Sequence, residues 1–250
     1  NDLKNNGKTV VTSTNEEIDT DLIILSIGVR PNSQLAKDAN LELNQRGGIK
    51  VDRFMQTSDP DIYAVGDAIE VNDYTLGNKV MVPLAGPANK QGRSVSANIL
   101  GLEEEPYAGT LGTSIAKIFD LSVASVGASE KILQRNGLKY KEDYFVTIIH
   151  PMSHAGYYPG ATAMTLKLIY AKDGKVLGAQ IVGYEGVDKR IDTIATAMHF
   201  KANVKNLAEL ELAYAPPYSS AKDPVNFAGY TAKNFLEGLT DPVTYQEYQA

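Results

Sequence analysis

The chain reads as an α/β unit followed by an α+β unit with an antiparallel sheet, and three observations carry that reading. A short apolar run, Ile62 to Val65, has the character of a buried strand and stops abruptly at Gly66-Asp67. A helix from about Pro87 to Leu100 follows, with proline in its first turn and Gly101 placed to end it. Beyond Pro106 the pattern changes to short strands divided by turns. The clearest are Ala163 to Tyr170 and Val176 to Val182 about Asp173-Gly174, a hairpin signal. At 250 residues and 43% hydrophobic, the chain suffices for one large or two modest domains.

In chain order, Lys8 to Thr12 is β-rich, Asn15-Glu16-Glu17 is a polar turn, and Leu22 to Ile27 reads as a buried strand. Pro31-Asn32 ends that unit, because proline interrupts a ladder and restricts Arg30 before it. Ser33 to Ala39 is expected to form a short helical turn, and Gly47-Gly48 a turn before a strand at Ile49 to Asp52. In the helix after Pro87, the residues Ala88, Gly92, Val95 and Ile99 fall on one face. Small residues near its start permit close approach to a partner surface, with helix-on-sheet packing as the ordinary explanation.

Glu103 to Pro106 reads as an exposed linker, and Tyr107-Ala108-Gly109 opens the second unit. Strands are expected at Ser114 to Phe119, Leu121 to Val126 and Tyr144 to His150. Ser129 and Gly137 are placed to cap a helix over Glu130 to Asn136. Asp188 to Phe200 is an amphipathic helix with apolar Ile191, Ile194, Ala195 and Met198. Asp223-Pro224, an N-cap followed by proline, starts a last helix running to Gly238. Leu239 to Ala250 has the look of a leaving linker, and an antiparallel sheet covered by helices is an α+β arrangement.

Composition narrows the function classes. Net charge is −6 and no basic run exceeds two residues, which disfavours nucleic-acid binding. No window approaches the ~20 apolar residues of a spanning helix, so no membrane partner is expected. The first residues lack the apolar core of a signal peptide, and the cytoplasm is the expected location. There is no cysteine, so disulfides and thiolate zinc sites are excluded.

Several residues have chemistry to offer. Gly66, without a Cβ, lets a ligand approach the backbone, and Asp67 offers a carboxylate to the hydroxyls of a sugar-like chain. The plainer alternative for Asp67 is a cap on the next turn. The helix start at Leu84 and Ala85 presents free N–H groups and a positive partial charge to a developing anion. Two tyrosine-bearing segments, His154 to Ala161 and Glu211 to Pro224, supply hydroxyls that can donate to a thiolate or peroxide oxygen. Their plainer alternative is packing at an interface. Ser219-x-x-Lys222 has the spacing of a serine-hydrolase nucleophile, but its companion motifs are missing and Pro216-Pro217 precedes it. His150 and His154 flank Pro151 without an adjacent acid, so no metal site is expected. Asp59 and Asp61 about Pro60 are turn chemistry.

Thr57 to Asp67 closely resembles the second flavin-binding motif of the FAD-dependent pyridine-nucleotide disulfide oxidoreductases. Pro83 to Arg93 resembles that family's helix beneath the isoalloxazine, and Gly28 to Asn32 its crossover from the NAD domain back to the FAD domain. The resemblance implies a partial, three-layer FAD/NAD-binding fold followed by a dimerisation domain. Residues 1–30 would end the NAD-binding domain, 31–105 form the C-terminal half of the FAD-binding domain, 106–238 the dimerisation domain, and 239–250 a linker. It implies FAD and NAD(P)H as cofactors of the full-length protein, with Gly66, Asp67, Pro83, Leu84, Ala85, Ala88 and Asn89 at the flavin. The tyrosine segments and Gly183 to Arg190 resemble the coenzyme A disulfide reductase and NADH oxidase branch. There, tyrosines of the partner subunit reach the flavin-side cysteine. Tyr158 and one of Tyr214 or Tyr218 would inherit that catalytic role, in a homodimer acting on coenzyme A disulfide or a related thiol substrate. Lys189 and Arg190 would either meet coenzyme A phosphates or be solvated helix-surface charges.

Two absences set the expectation for this chain alone. It has neither the redox cysteine nor any Gly-x-Gly pair among its 21 glycines, and the family carries both in its N-terminal FAD segment. The chain is therefore expected to be the C-terminal part of a longer protein and inactive by itself, with doubtful retention of FAD. An NADH oxidase or peroxidase is the alternative within the family, and a non-catalytic homodimerisation module the alternative from another class.

Overall fold

The computed structural model describes residues 2–102 and 106–249; most of the expected linker, Glu103 to Glu105, lies outside them. The chain divides into two compact units, Asn1–Pro31 and Asn32–Ala250.

The first unit is a small antiparallel sheet of β1 (Asp2–Lys4), β2 (Thr9–Val11) and β3 (Glu17–Asp19) in that spatial order. Thr9 donates through Oγ1 to Asp19 Oδ1 at 2.8 Å, tying the sheet's outer strand back to its centre. The expected buried strand at Leu22 to Ile27 is not present. That stretch belongs to no strand, and Leu22, Ile24, Leu25 and Ile27 are 77–89% exposed. The residues have strand character, but no strand among the described residues pairs with them, and burial requires a neighbour.

The second unit begins with α1 (Gln34–Asp38) and a three-stranded mixed sheet. Its β4 (Ile49–Lys50) runs parallel to β5 (Ile69–Asn72), which pairs antiparallel with β6 (Lys79–Val80). The turn before β4 is held by Asn44, whose Oδ1 accepts from Gly48 N–H at 2.9 Å. Helix α2 (Ala85–Leu100) ends as read, with Gly101 in the left-handed region and its N–H on Ala97 and Asn98 carbonyls. Its buried face is a correction. Gln91, Ser94 and Val95 turn inward, while Ile99 is exposed, because Val95 joins Val51, Met55, Ile69 and Val71 in one small core. Ile62 to Val65 is also less regular than expected. Ile62 to Ala64 are half-buried and Val65 is exposed, with a single antiparallel bridge from Tyr63 to Gln56. Asp59 takes its turn role, accepting from Asp61 N–H at 2.9 Å.

The larger sheet holds β7 (Ser114–Ile118), β8 (Leu121–Gly127), β9 (Tyr144–Ile149), β10 (Met164–Ala171) and β11 (Val176–Gly183). Its order is β7-β8-β11-β10-β9, antiparallel throughout. Asp173-Gly174 turns β10 into β11, with Gly174 at φ +86° and its N–H on Ala171 O at 2.9 Å. Period-two alternation sends Leu166, Leu168 and Tyr170 to one face and Ile169 to the other. The first face is covered by α4 (Val187–His199), α5 (Val204–Glu209) and α6 (Pro224–Leu236). The second meets α3 (Glu130–Arg135) through Leu133, and Lys167 pairs there with Glu130. Ile181, Ile194, Val225 and Ala228 are fully enclosed, at roughly 1.5–3 kcal/mol for each large aliphatic side chain.

Helix α6 starts as read: Asp223 Oδ1 accepts from Val225 N–H at 3.0 Å with Pro224 in the first turn. Residues 239–244 continue without regular structure to a short helix, α7 (Tyr245–Gln249). Glu247 of this helix pairs with Lys141 at 2.6 Å. Among the described residues no helix is long and apolar enough to cross a membrane.

Candidate functional site

Gly66 sits at φ +85°, opening a single turn of 3-10 helix over Gly66–Ala68. The left-handed backbone alone favours glycine here, since a Cβ would meet nothing nearer than Ala88 Cβ at 4.0 Å. Its N–H donates to Gln91 Oε1 at 2.7 Å, which locks the turn against α2. Asp67 follows on this turn and is exposed. Among the described residues its carboxylate takes no hydrogen bond and no ion pair, and the turn has no side-chain cap. The capping alternative is thereby set aside, and the carboxylate stands open to an external donor.

At the start of α2, Pro83 and Ala85 are exposed, and Leu84 is the half-buried residue before the first turn. Leu84 is not the donor expected from sequence, because its N–H is already spent on Val82 O at 2.9 Å. Ala85 and Gly86 carry backbone N–H groups without a partner among the described residues, Pro87 has none to give, and Ala88 N–H begins the helix ladder on Leu84 O. The pair of free donors is therefore shifted by one residue. Asn89 folds its amide onto its own helix, donating to Ala85 O at 3.2 Å.

The tyrosines lie on two loops of the second unit. Tyr214 meets Tyr157, the two hydroxyls 2.9 Å apart and both rings exposed. The hydrogen bond to Tyr157, then partial burial, holds the Tyr214 phenol above the ordinary tyrosine value. Tyr158 instead stands edge-on to the His154 ring, with centroids 5.8 Å apart. Tyr218 is exposed, and its N–H closes a turn on Ala215 O. Adjacent residues in an irregular loop point in different directions, so the pairing partner of Tyr214 is the neighbour of the residue singled out in the sequence. Its only signal there was the Tyr157-Tyr158 doublet itself.

Beneath the loops lies a polar cluster that sequence reasoning missed. Arg190 on α4 is 2% exposed and pairs with Asp223, 3% exposed, at 3.0 Å. The same Nη2 donates to Ser153 O at 2.8 Å and to Ser219 Oγ at 3.3 Å, while Nη1 reaches Gly186 O at 3.2 Å. Ser219, fully buried, donates to Asp223 Oδ2 at 2.6 Å. Neither role expected for Arg190 holds: a buried, paired guanidinium is neither a surface charge nor free for a phosphate. Lys189 beside it is exposed. Ser219 is a structural hydroxyl, and Lys222 lies over the Phe227 and Tyr230 rings at 5.9 Å. His150 is exposed with Nδ1 3.0 Å from Thr165 Oγ1, and His154 is buried.

The family model described as pyridine nucleotide-disulphide oxidoreductase matches residues 1–92, and that of its dimerisation domain matches residues 113–224. A coenzyme A disulfide reductase of Staphylococcus epidermidis is 39% identical over 229 residues, which are 91% of this chain and 51% of the relative. Among solved structures, reduced CoADR-RHD of Bacillus anthracis is 52% identical with a TM-score of 0.92, covering 99% of this chain and 44% of that one. A NAD-dependent persulfide reductase from A. fulgidus is 40% identical with a TM-score of 0.89, covering 96% of this chain and 44% of that one. The chain thus spans about half the length of the curated relatives it matches.

Proposed function

We propose, from the premise that the chain belongs to the pyridine nucleotide-disulphide oxidoreductases, that it is the C-terminal part of an enzyme reducing coenzyme A disulfide or persulfide with NAD(P)H. Residues 1–30 would end the NAD-binding domain, 31–105 complete the FAD-binding domain and 106–238 form the dimerisation domain.

The residues present suit FAD. An unpaired, exposed carboxylate at Asp67 matches the hydroxyl-rich ribityl chain, and the open backbone at Gly66 leaves room beside it. The free N–H groups of Ala85 and Gly86, at the positive end of α2, match an electron-rich ring edge. When bound, FAD supplies two-electron transfer between nicotinamide and thiol chemistry. Pro83, Leu84 and Ala88 would shape the ring's resting surface, while Asn89, bonded to its own helix, would stiffen the first turn.

The tyrosines would serve the sulfur side. Within the pair one hydroxyl donates to the other, which leaves the second hydroxyl's hydrogen free to bond a leaving thiolate. Cleavage of the substrate's S–S bond consumes one NAD(P)H and one proton and releases two thiols. The redox cysteine would come from upstream residues, as this chain has none. Both tyrosine loops are exposed, as a site completed across a twofold homodimer requires.

The exposed Tyr157–Tyr214 hydroxyl pair, on segments that resemble the coenzyme A disulfide reductase branch, supports this reading. The test is anaerobic turnover of the protein extended upstream through its cysteine. Two thiols per NAD(P)H are expected with coenzyme A disulfide, and no turnover from the present chain alone. NAD(P)H consumption that needs oxygen and ignores the disulfide would replace the reading with an oxidase. A chain that dimerises without binding added FAD would favour an assembly module.

A further inference from the structure

We propose that Arg190 is the positioning residue that holds the Tyr157 loop and the Tyr214 loop in one arrangement and thereby sets the separation of the two hydroxyls. This rests on the reading of that pair as the substrate-facing edge.

The guanidinium lies between the loop that follows β9 and the loop that joins α5 to α6. Its Nη2 donates to Ser153 O, four residues before Tyr157, and to Ser219 Oγ, five residues after Tyr214. Asp223, at the start of α6, takes the charge at 3.0 Å and also accepts the Ser219 hydroxyl proton at 2.6 Å. Ser219 thus donates its O–H to the carboxylate and leaves a lone pair to accept from the arginine. A direct bond joins the loops as well, from Ala155 N–H to Ser219 O at 3.0 Å.

Two features separate this arrangement from a simple tie between α4 and α6. A buried ion pair is seldom the most stable choice, because apolar residues of similar volume often do as well or better. Here Arg190 Nε is also buried without a partner among the described residues, a cost that a site shaped for stability alone would avoid. The arginine instead makes bonds that the helix tie does not need, one to each tyrosine loop. The planar fork matters, since a lysine ammonium at the end of a flexible stem cannot reproduce the same set of directions.

The test has two arms. In the upstream-extended, FAD-loaded protein, Arg190→Lys should lower kcat with coenzyme A disulfide about 10- to 100-fold, the range expected from sub-ångström to ångström misplacement. NAD(P)H bleaching of the flavin without disulfide should be unchanged. In a Tyr214→Phe background, Arg190→Lys should change kcat less than about twofold, because the group it positions is gone. Equal losses in both backgrounds, or no loss in either, would overturn the proposal.

The second arm uses no catalysis. With tyrosines labelled at 13Cζ in the present chain, the Tyr214 signal should titrate above the ordinary range and fall back towards it in Arg190→Lys. Ser219→Ala, a milder loss, should move it the same way, and this variant decides the matter if the lysine variant does not fold. An unmoved Tyr214 titration would overturn the positioning role. If the disulfide-reductase reading fails, the first arm loses its substrate while the titration still decides.

Discussion

The hydroxyl of Tyr157 lies 2.9 Å from that of Tyr214, although 57 residues separate them in the chain. A pair in contact acts as a unit, so its members should not contribute independently. Tyr157→Phe and Tyr214→Phe are each expected to slow thiol release in the upstream-extended protein by about 10²-fold, the lower range for loss of a positioned proton donor. The double variant should be little worse than either single one. Tyr158→Phe and Tyr218→Phe should stay near the parent rate. Stopped-flow mixing of the reduced protein with coenzyme A disulfide measures all five, and a slow Tyr158→Phe with a normal Tyr157→Phe would reverse the assignment.

Asp67→Ala separates a ligand role from a folding role. The carboxylate bonds to nothing among the described residues, so thermal stability should be unchanged within about 0.5 kcal/mol, as for other surface substitutions. Losing a charged hydrogen-bond acceptor for the ribityl chain should weaken FAD binding by about 1.5–3 kcal/mol. Flavin fluorescence titration of the upstream-extended apoprotein reads the affinity, and calorimetry the stability. A shifted Tm with intact affinity would make Asp67 a residue of the fold.

Acid should release α7. The Lys141 ammonium, followed by the Thr244 backbone and side-chain donors, pulls the Glu247 carboxyl down to about 2. A depressed folded-state value means the docking contribution is complete above the unfolded carboxyl's ordinary range near 4.3. It is lost as pH falls from there towards about 2. Protection of the residue 245–249 amides, measured against their intrinsic exchange rates at each pH, should therefore fall through that window while β10 and β11 remain protected. Glu247→Gln should show the fast exchange already at neutral pH. Protection independent of pH in the parent chain would reject the ion pair as the tether.

Gly229→Ala sets two effects against each other. Within a helix, alanine is favoured over glycine by about 1 kcal/mol. At this position, however, a Cβ would lie 2.5 Å from Ala208 N and 2.9 Å from Val204 O, both backbone atoms of α5 that cannot swing aside. Overpacking of this kind costs about 1–3 kcal/mol, so a net loss of stability is expected. Urea denaturation measures it. A stabilised variant would show that α5 and α6 can separate cheaply.

What could be read from the residues alone follows from how local each determinant is. The Asp173-Gly174 hairpin and the Asp223-Pro224 cap depend on neighbours a few positions away, and both are where the pattern puts them. Helix α5 escaped notice because its capping box uses Asn203 with Asn206, not a glutamate or glutamine at the third position. Arg190 was misread because its counter-charge is 33 residues away, so Lys189-Arg190 looks like two surface charges on a helix. Leu22 to Ile27 has every local mark of an interior strand, but burial depends on what packs against it. In the candidate site, the Gly66-Asp67 turn and the tyrosine segments were legible as motifs. The register of the pair and the free donors of α2 depended on loop geometry that motifs do not encode.

The uncovered run from Leu22 to Val29 has a practical consequence for handling this polypeptide. Five bulky aliphatic side chains face water on a segment that belongs to no strand, a combination that invites adhesion between copies. Turbidity and light scattering should accordingly rise with concentration, and lysines placed at alternate positions along the run should keep preparations clear.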